Sequence, residues 1–250
     1  MNTPESTAAA GAPRIGAFFH IAKAAGISVR LLAERHERLI WVNTRAGIDA
    51  HRFGVDSAIC VDDIPELERR ALFVFTFVRN PFERFVSCWR MFCERPERGS
   101  YRGSFAEFVD LVTAPGMPLD VQSWHRTREQ WDSSPECMRH HLVSQLERLR
   151  QLHYALGREP DFVGRVERIQ SDWTAIAARL GIDAPVPHRN RTVHHHYSAY
   201  YDRATRSKVE AHSADDLHAL SYRFEPRLYG VRRVLLRVPE RWRQRARLGW

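Results

Sequence analysis

Residues 71–78 read ALFVFTFV, and the residues RNP follow them at once. A continuous run of β-branched and aromatic residues of this length is typical of a strand that is buried on both faces, as in a parallel sheet. Asn80 is a good helix N-cap, Pro81 suits the first helical position, and Glu83 lies three residues after the cap. The stretch therefore predicts a central strand followed directly by a helix over 81–93.

Further strands and helices are predicted on both sides of this central strand. Short apolar runs predict strands, and apolar residues at helical spacing predict helices. The predicted strands cover 15–20, 39–42 and 161–166, and the predicted helices cover 27–38, 104–113, 119–131, 171–180 and 203–220. Strands that alternate with helices imply an α/β protein with a central, mostly parallel sheet.

The composition favours one folded domain. A chain of 250 residues that is 44% hydrophobic can bury a substantial core. We expect a flexible leader over 1–13, a domain over 14–230 and a basic C-terminal helix or tail over 231–250. The chain shows neither a signal-peptide pattern nor a long apolar span, which predicts a cytoplasmic protein. Its four cysteines lack paired CxxC spacing, so we expect reduced thiols and no structural metal.

The net charge of +8 predicts an anionic partner. A nucleic acid, an anionic lipid, a nucleotide and an acidic polysaccharide all fit that charge. Arginine is concentrated in the last twenty residues, where seven arginines face one acid, Glu240. This segment is interpreted either as a solvated basic helix packed on the domain or as a surface that contacts a membrane or a polyanion.

The segment HIAKAAGIS, residues 20–28, has the pattern of a phosphate-binding loop between a strand and a helix. Backbone N–H groups at a helix start attract an anion, and small residues allow it to approach closely. Lys23 adds a charge, Gly26 adds space, and Ser28 adds a hydroxyl donor. The lysine precedes the glycine, so this is not the GxxxxGK[ST] loop of nucleotide triphosphatases. Alone, the pattern is equally compatible with a simple tight turn.

The segment RNPFERFVS, residues 79–87, supplies a second anion-binding pattern. Arg79 ends the central strand and Ser87 lies two turns into the next helix, so both can contact one anion. Because ligands gather beyond the carboxyl ends of parallel strands, we expect this segment and residues 20–28 to open onto one crevice. Glu83 and Arg84 are predicted to lie on a solvated helix face.

These two segments resemble motifs of the carbohydrate-type sulfotransferases. HIAKAAGIS is similar to their 5′-phosphosulfate loop, and FVRNPFERFVS is similar to their 3′-phosphate motif. Residues 139–145, 161–173 and 197–225 resemble later blocks of the family, so the resemblance covers residues 14–225. It implies a P-loop kinase-like three-layer fold. The family has Pro-Lys-Thr where this chain has Ala22-Lys23-Ala24, which removes one hydroxyl donor.

The resemblance implies transfer of a sulfuryl group from 3′-phosphoadenosine 5′-phosphosulfate (PAPS) to a hydroxyl or amine by in-line displacement. The implied acceptor is a carbohydrate or a glycolipid, and neither a metal nor a nucleic acid is expected. Lys23 stabilises the leaving group, and His51 is the candidate general base, with His20 and Glu83 as substitutes. The donor-binding residues implied are Lys23, Ala24, Ala25, Gly26, Ile27, Ser28, Arg79 and Ser87.

Several other residues have two interpretations each. Trp124, His125 and Trp131 line an acceptor cleft or belong to the core, and residues 142–156 form a helix by leucine spacing or a hairpin by resemblance. Arg165 and Arg189 reach substrate anions by resemblance. The histidines at 140–141 and 194–196 are predicted to be solvated loop residues rather than metal ligands.

Two other functions remain open. A nucleotide-dependent kinase of the same fold would need a triphosphate loop and a magnesium-binding acid, and neither is visible in the sequence. A non-catalytic polyanion-binding protein would use the basic surface, and salt would weaken its binding steeply.

Overall fold

The computed structural model describes residues 14–45, 58–94, 101–115, 134–187 and 195–226. The described strands are β1 (Gly16–Phe19), β2 (Leu39–Asn43), β3 (Ile59–Cys60), β4 (Phe73–Val78) and β5 (Phe162–Arg165). They form a sheet in the order β3-β2-β1-β4-β5, and every pairing among these strands is parallel.

Helices connect these strands and flank the sheet. Those in the described ranges are α1 (Gly26–Ala33), α2 (Glu66–Ala71), α3 (Pro81–Glu94), α4 (Phe105–Thr113), α5 (Pro135–His140), α6 (Gln145–Leu156), α7 (Ile169–Leu180), α8 (Arg203–His212) and α9 (Ala214–Ala219). Short 3₁₀ turns lie at Val61–Asp63, Val166–Arg168 and Tyr197–Tyr200. This three-layer α/β arrangement confirms the predicted fold class.

All the strands are parallel, but the side of the sheet on which the next strand is added changes between β1 and β4. After β1 the chain continues to β2 on one side, whereas after β4 it continues to β5 on the other side. The Thr76 hydroxyl of β4 donates to the Phe19 carbonyl of β1 at 2.8 Å, near the carboxyl ends of both strands. Ligands of open α/β sheets bind outside the carboxyl ends of the strands at such a change of side. The topology therefore predicts a binding site at the segments that follow β1 and β4.

Two apolar clusters stabilise the fold. The first surrounds the sheet and includes Phe18, Phe75 and Trp173, all at most 2% exposed. The second joins α3, α4 and α5 and includes Phe85 and Phe108. Burying one side chain of this size contributes about 1.5–3 kcal/mol. Because α3 begins at the end of β4 and packs in the second cluster, it links the sheet to this helical half.

Several predicted boundaries were wrong in detail. Ala71 ends helix α2 rather than starting the central strand, and the predicted helix over 203–220 is interrupted at Ser213, which lies between α8 and α9. Residues 145–156 form a helix, so the helical interpretation of 142–156 is correct. The predicted leader, the predicted helix over 119–131 and the basic segment over 231–250 lie outside the described residues.

Candidate active site

The loop between β1 and α1 has a constrained backbone. Lys23 and Ala25 have φ angles of 66° and 64°, in the left-handed region. A residue with a side chain loses about 1–2 kcal/mol in that conformation. The Ala24 N–H donates to the Ile21 carbonyl at 3.1 Å, which closes the loop as a turn. The surrounding contacts therefore hold this loop in a shape that the residues would not adopt alone.

Helix α1 begins where the loop requires a glycine. A Cβ on Gly26 would lie 2.2 Å from Nε2 of His20, so no larger residue fits there without movement. The N-cap residue Ala25 offers no side-chain hydrogen bond to the first turn, and this turn contains no acidic residue. Its backbone N–H groups therefore suit an anion, as the sequence pattern predicts for residues 20–28.

The segment after β4 is fixed by hydrogen bonds from distant elements. The Arg79 N–H donates to Oε1 of Gln145 at 2.8 Å, and Nε2 of Gln145 donates to the Arg79 carbonyl at 2.8 Å. Gln145 is fully buried. Sequence analysis missed this contact, because the two residues are 66 positions apart and neither one predicts the other.

The start of α3 differs in one respect from its sequence pattern. Asn80 caps the helix as predicted, since its side-chain oxygen accepts the Phe82 N–H at 3.1 Å. Glu83 does not complete a capping box, because the Asn80 N–H donates to Glu167 instead. Glu83 forms an ion pair with Nη2 of Arg79 at 3.1 Å. Glu83, three residues after the N-cap, therefore contacts Arg79 at the end of β4.

Arg79 brings the two anion-binding segments together. Its Nη1 donates to the Lys23 carbonyl at 3.4 Å, and its side chain is 16% exposed. Its Nε atom is buried and has no hydrogen-bond partner in the described part of the chain. A buried guanidinium N–H without an acceptor is costly, so this atom indicates a place for an anionic oxygen.

Helix α3 also contacts the loop after β1. Nζ of Lys23 donates to the Met91 sulfur at 3.2 Å, which places the lysine side chain against α3. Ser87 lies four residues before Met91 and three after Arg84, so these positions share one helix face. The partly exposed Ser87 is therefore on the face that contacts the loop after β1.

Arg84 is not on a solvated helix face, and that prediction was wrong. Its side chain is buried, and its Nε donates to the Ala22 carbonyl at 3.0 Å. The apolar residues Phe82, Phe85 and Cys88 lie on one face of the amphipathic helix α3, and Arg84 lies at the border of that face. Its carbonyl acceptors come from distant segments, so the helix pattern alone does not reveal its burial.

The site carries an excess of positive charge. Burial, and then the cations Arg148, Lys23, Arg84 and Arg30, lower the pKa of His20 to about 4. Its imidazole is therefore neutral at pH 7. Burial also lowers the pKa of Arg84 to about 10, so that guanidinium stays protonated. Clustered positive charge of this kind attracts anions.

Several other predicted residues lie outside the described residues: His51, Trp124, His125, Trp131, Arg189 and His194. Arg165 lies within them. It donates to the Leu220 carbonyl at 2.6 Å and stacks on Tyr222, so its guanidinium contacts the C-terminal part of the domain.

The histidines at 140–141 are buried rather than solvated, which corrects that prediction. Nε2 of His140 lies 3.2 Å from Nη2 of Arg148, and Nδ1 of His141 lies 2.8 Å from the Cys137 carbonyl. Within the described ranges no group of three or more His, Cys, Asp and Glu side chains is arranged to hold a metal ion.

A comparison with models of protein families assigns the chain to a family. A family model described as Sulfotransferase family matches residues 61–228, about two thirds of the chain. The chain belongs to the sulfotransferase family. This membership supports an enzyme that transfers sulfate. No curated protein and no solved structure gave a match.

The matched range contains Arg79 and Ser87 but begins after the Lys23 loop. The hydrogen bond from Arg79 to the Lys23 carbonyl connects that loop to the matched range. None of the helices in the described ranges has the length and apolar character needed to cross a membrane.

Proposed function

We propose that this sulfotransferase transfers a sulfuryl group from PAPS to a hydroxyl or amine of a carbohydrate-type acceptor. The observation that carries the proposal is the meeting of two anion-binding segments between the carboxyl ends of β1 and β4. PAPS bears a 5′-phosphosulfate and a 3′-phosphate, so it requires two anion contacts at one site.

The loop after β1 is assigned to the 5′-phosphosulfate. Its proposed donors are the side chain and backbone N–H of Lys23, the backbone N–H groups of 25–28 and the Ser28 hydroxyl, whereas the Ala24 N–H donates to the Ile21 carbonyl. The uncapped start of α1 and the space kept by Gly26 support this assignment. Loss of the family's threonine at Ala24 leaves the lysine charge and the backbone donors in place.

Arg79 and Ser87 are assigned to the 3′-phosphate. The buried Nε of Arg79 without an acceptor supports this role, because a phosphate oxygen would satisfy it. Glu83 contacts Nη2 and the Lys23 carbonyl accepts from Nη1 of the same guanidinium, so these contacts orient the arginine and leave Nε for the ligand.

The proposed reaction is an in-line displacement at sulfur. The acceptor oxygen or nitrogen forms a bond to sulfur while the bond from sulfur to the bridging phosphate oxygen breaks. Adenosine 3′,5′-bisphosphate leaves with the bonding electron pair, and Lys23 stabilises the charge that develops on the bridging oxygen. Positioning and electrostatics carry such transfers, as they do for phosphoryl groups.

The acceptor's proton passes to a general base. His51 is proposed for this role by resemblance to glycan sulfotransferases. His20 stays a substitute by position, since it follows β1 and its Nε2 faces Gly26, but the lowering of its pKa to about 4 makes it a weak base at pH 7. Glu83 is engaged with Arg79, which makes it the weaker substitute.

The acceptor class is proposed as a carbohydrate or a glycolipid, and the positive charge of the crevice is compatible with an acidic glycan. The basic C-terminal segment is proposed as an additional contact to that acceptor or to a membrane surface. The cytoplasmic location expected from the sequence stays a prediction.

Calorimetric titration with adenosine 3′,5′-bisphosphate tests the proposal, with ATP and magnesium as the competing ligand. We expect selective binding of the bisphosphate, and an affinity about 10- to 100-fold lower in Arg79→Ala, because a charge-assisted contact of this kind contributes about 1.5–3 kcal/mol. Arg206→Ala is the matched control, since Arg206 pairs with Glu210 on the exposed surface of α8. Preference for ATP would favour a kinase, and binding of neither nucleotide would favour a polyanion-binding protein.

A further inference from the structure

Arg84 is a buried cation that contacts three backbone carbonyls beside the proposed donor site. Its side chain is 3% exposed. Nε donates to Ala22 at 3.0 Å, Nη1 to Val143 at 2.8 Å and Nη2 to His141 at 2.9 Å. None of the ion pairs formed within the described ranges includes Arg84.

Stability alone does not account for a cation in this position. Transfer of a charge from water to the protein interior costs several kcal/mol, and the hydrogen bonds that Arg84 makes must first offset that cost. The three carbonyls indicate what the arginine does instead: it connects α3, the loop after β1 and the segment before α6.

The contact with Ala22 determines the orientation of one peptide in the anion-binding loop. The Ala22 carbonyl and the Lys23 N–H belong to the same trans peptide, so they point in opposite directions. Because Arg84 binds the carbonyl, the Lys23 N–H is directed away from Arg84. If this peptide turned over, a carbonyl oxygen would replace the N–H and would repel a bound anion.

The loop needs such a contact because its backbone is strained. Lys23 and Ala25 occupy the left-handed region without being glycines, and their conformations persist only where neighbouring groups hold them. Arg84 lies on the helix that begins directly after Arg79, so one helix connects the loop to the 3′-phosphate contact.

We propose that Arg84 is a positioning residue, which orients the Ala22–Lys23 peptide for the 5′-phosphosulfate and keeps the loop in register with Arg79. This inference rests on the donor site proposed above. It adds a role for a residue whose guanidinium faces protein carbonyls.

The test compares two ligands that differ only in the 5′-phosphate. Adenosine 3′,5′-bisphosphate and adenosine 3′-monophosphate are titrated by calorimetry into the wild type, Arg84→Lys and Arg84→Met. Lysine keeps the charge but cannot reach three carbonyls as a planar fork, whereas methionine removes both the buried charge and the three donors. The ratio of the two affinities measures the contribution of the 5′-phosphate.

Arg139→Lys is the matched control. Arg139 is also a buried arginine, at 9% exposed, and it donates to the carbonyls of Leu111 at 3.1 Å and Ala114 at 2.7 Å. It fixes the end of α4 rather than the loop after β1. This variant loses the same kind of contact, so it reports the effect of reduced stability alone.

In both Arg84 variants we expect affinity for the 3′-monophosphate within about twofold of wild type, and a bisphosphate affinity about 10- to 100-fold lower. Arg139→Lys is expected to keep the wild-type ratio. The inference is overturned if the Arg84 variants keep that ratio, or if both fail to fold while Arg139→Lys folds, because Arg84 would then be purely structural. Failure of the wild type to bind the bisphosphate would instead overturn the proposed function.

Discussion

The two sides of the crevice are built differently. After β1, the loop has a strained backbone, and the distant residues Arg79 and Arg84 contact its carbonyls. After β4, the protein presents the side chain of Arg79 from a backbone that Gln145 fixes at both its N–H and its carbonyl. Function on the first side therefore depends on backbone conformation, and function on the second depends on one guanidinium in a rigid frame.

Replacement of Lys23 by alanine is expected to have the largest effect, because it removes the charge that we propose stabilises the leaving group. Loss of a transition-state donor of this kind lowers turnover about 10²- to 10³-fold. Release of adenosine 3′,5′-bisphosphate from PAPS, measured with an unsulfated acidic polysaccharide as acceptor, checks this expectation. Lys208→Ala is the control, since Lys208 pairs with Asp110 on the surface. Equal turnover in the two variants would contradict the role of Lys23.

Gln145→Ala tests the two hydrogen bonds that fix the backbone of Arg79. It leaves the Arg79 N–H and carbonyl without their partners, and each unsatisfied buried group costs about 1–3 kcal/mol. We expect the free energy of unfolding, measured in urea, to fall by about 2–4 kcal/mol. A change below about 0.5 kcal/mol would show that water or another group replaces the glutamine without cost.

The pH dependence of stability reports on His20 in the first side. Its pKa is 6.5 in the unfolded chain and about 4 in the folded protein. As pH falls below 6.5 the unfolded chain binds the proton first, so stability that is present above pH 6.5 is lost down to pH 4. At about 1.36 kcal/mol per pKa unit the loss is about 3 kcal/mol. His20→Gln should remove this part of the pH profile; an unchanged profile would refute it.

The smallest effect is expected at Ala25. Glycine there relieves the left-handed strain but loses more backbone entropy on folding, so the free energy of unfolding should rise by about 0.5 kcal/mol. Gly26→Ala, one residue later, should lower it, because its Cβ would meet His20. Urea unfolding of the pair checks both signs, and a less stable Ala25→Gly would show that the loop is not strained.

The sequence predicted elements whose signal is local. The strands β1, β2, β4 and β5 are apolar runs, and Asn80 with Pro81 marks the start of α3. The two-residue strand β3 and the six-residue helices α2 and α5 are too short for a periodic pattern, so they were missed. The sequence left residues 142–156 open to a helix or a hairpin. The structure has the helix α6 there, and its N-cap Ser144 accepts the Glu147 N–H at 3.2 Å.

The same distinction holds in the site. Lys23, Arg79 and Ser87 belong to recognisable segments, so sequence alone nominated them. The roles of Arg84 and Gln145 depend on contacts across 57 to 66 positions, which no local pattern encodes. Arg84 was predicted to be solvated because charged residues are mostly exposed, whereas its acceptors come from distant segments.

One measurement tests most directly whether the two sides form a single donor site. It is the titration of wild-type protein with the 3′-monophosphate, the 5′-monophosphate and the 3′,5′-bisphosphate of adenosine under the same conditions. The account predicts one site per chain and a bisphosphate affinity at least about tenfold above that of either monophosphate, because both anions bind in one event. A bisphosphate that binds no tighter than the better monophosphate would show that the segments after β1 and β4 do not hold one molecule.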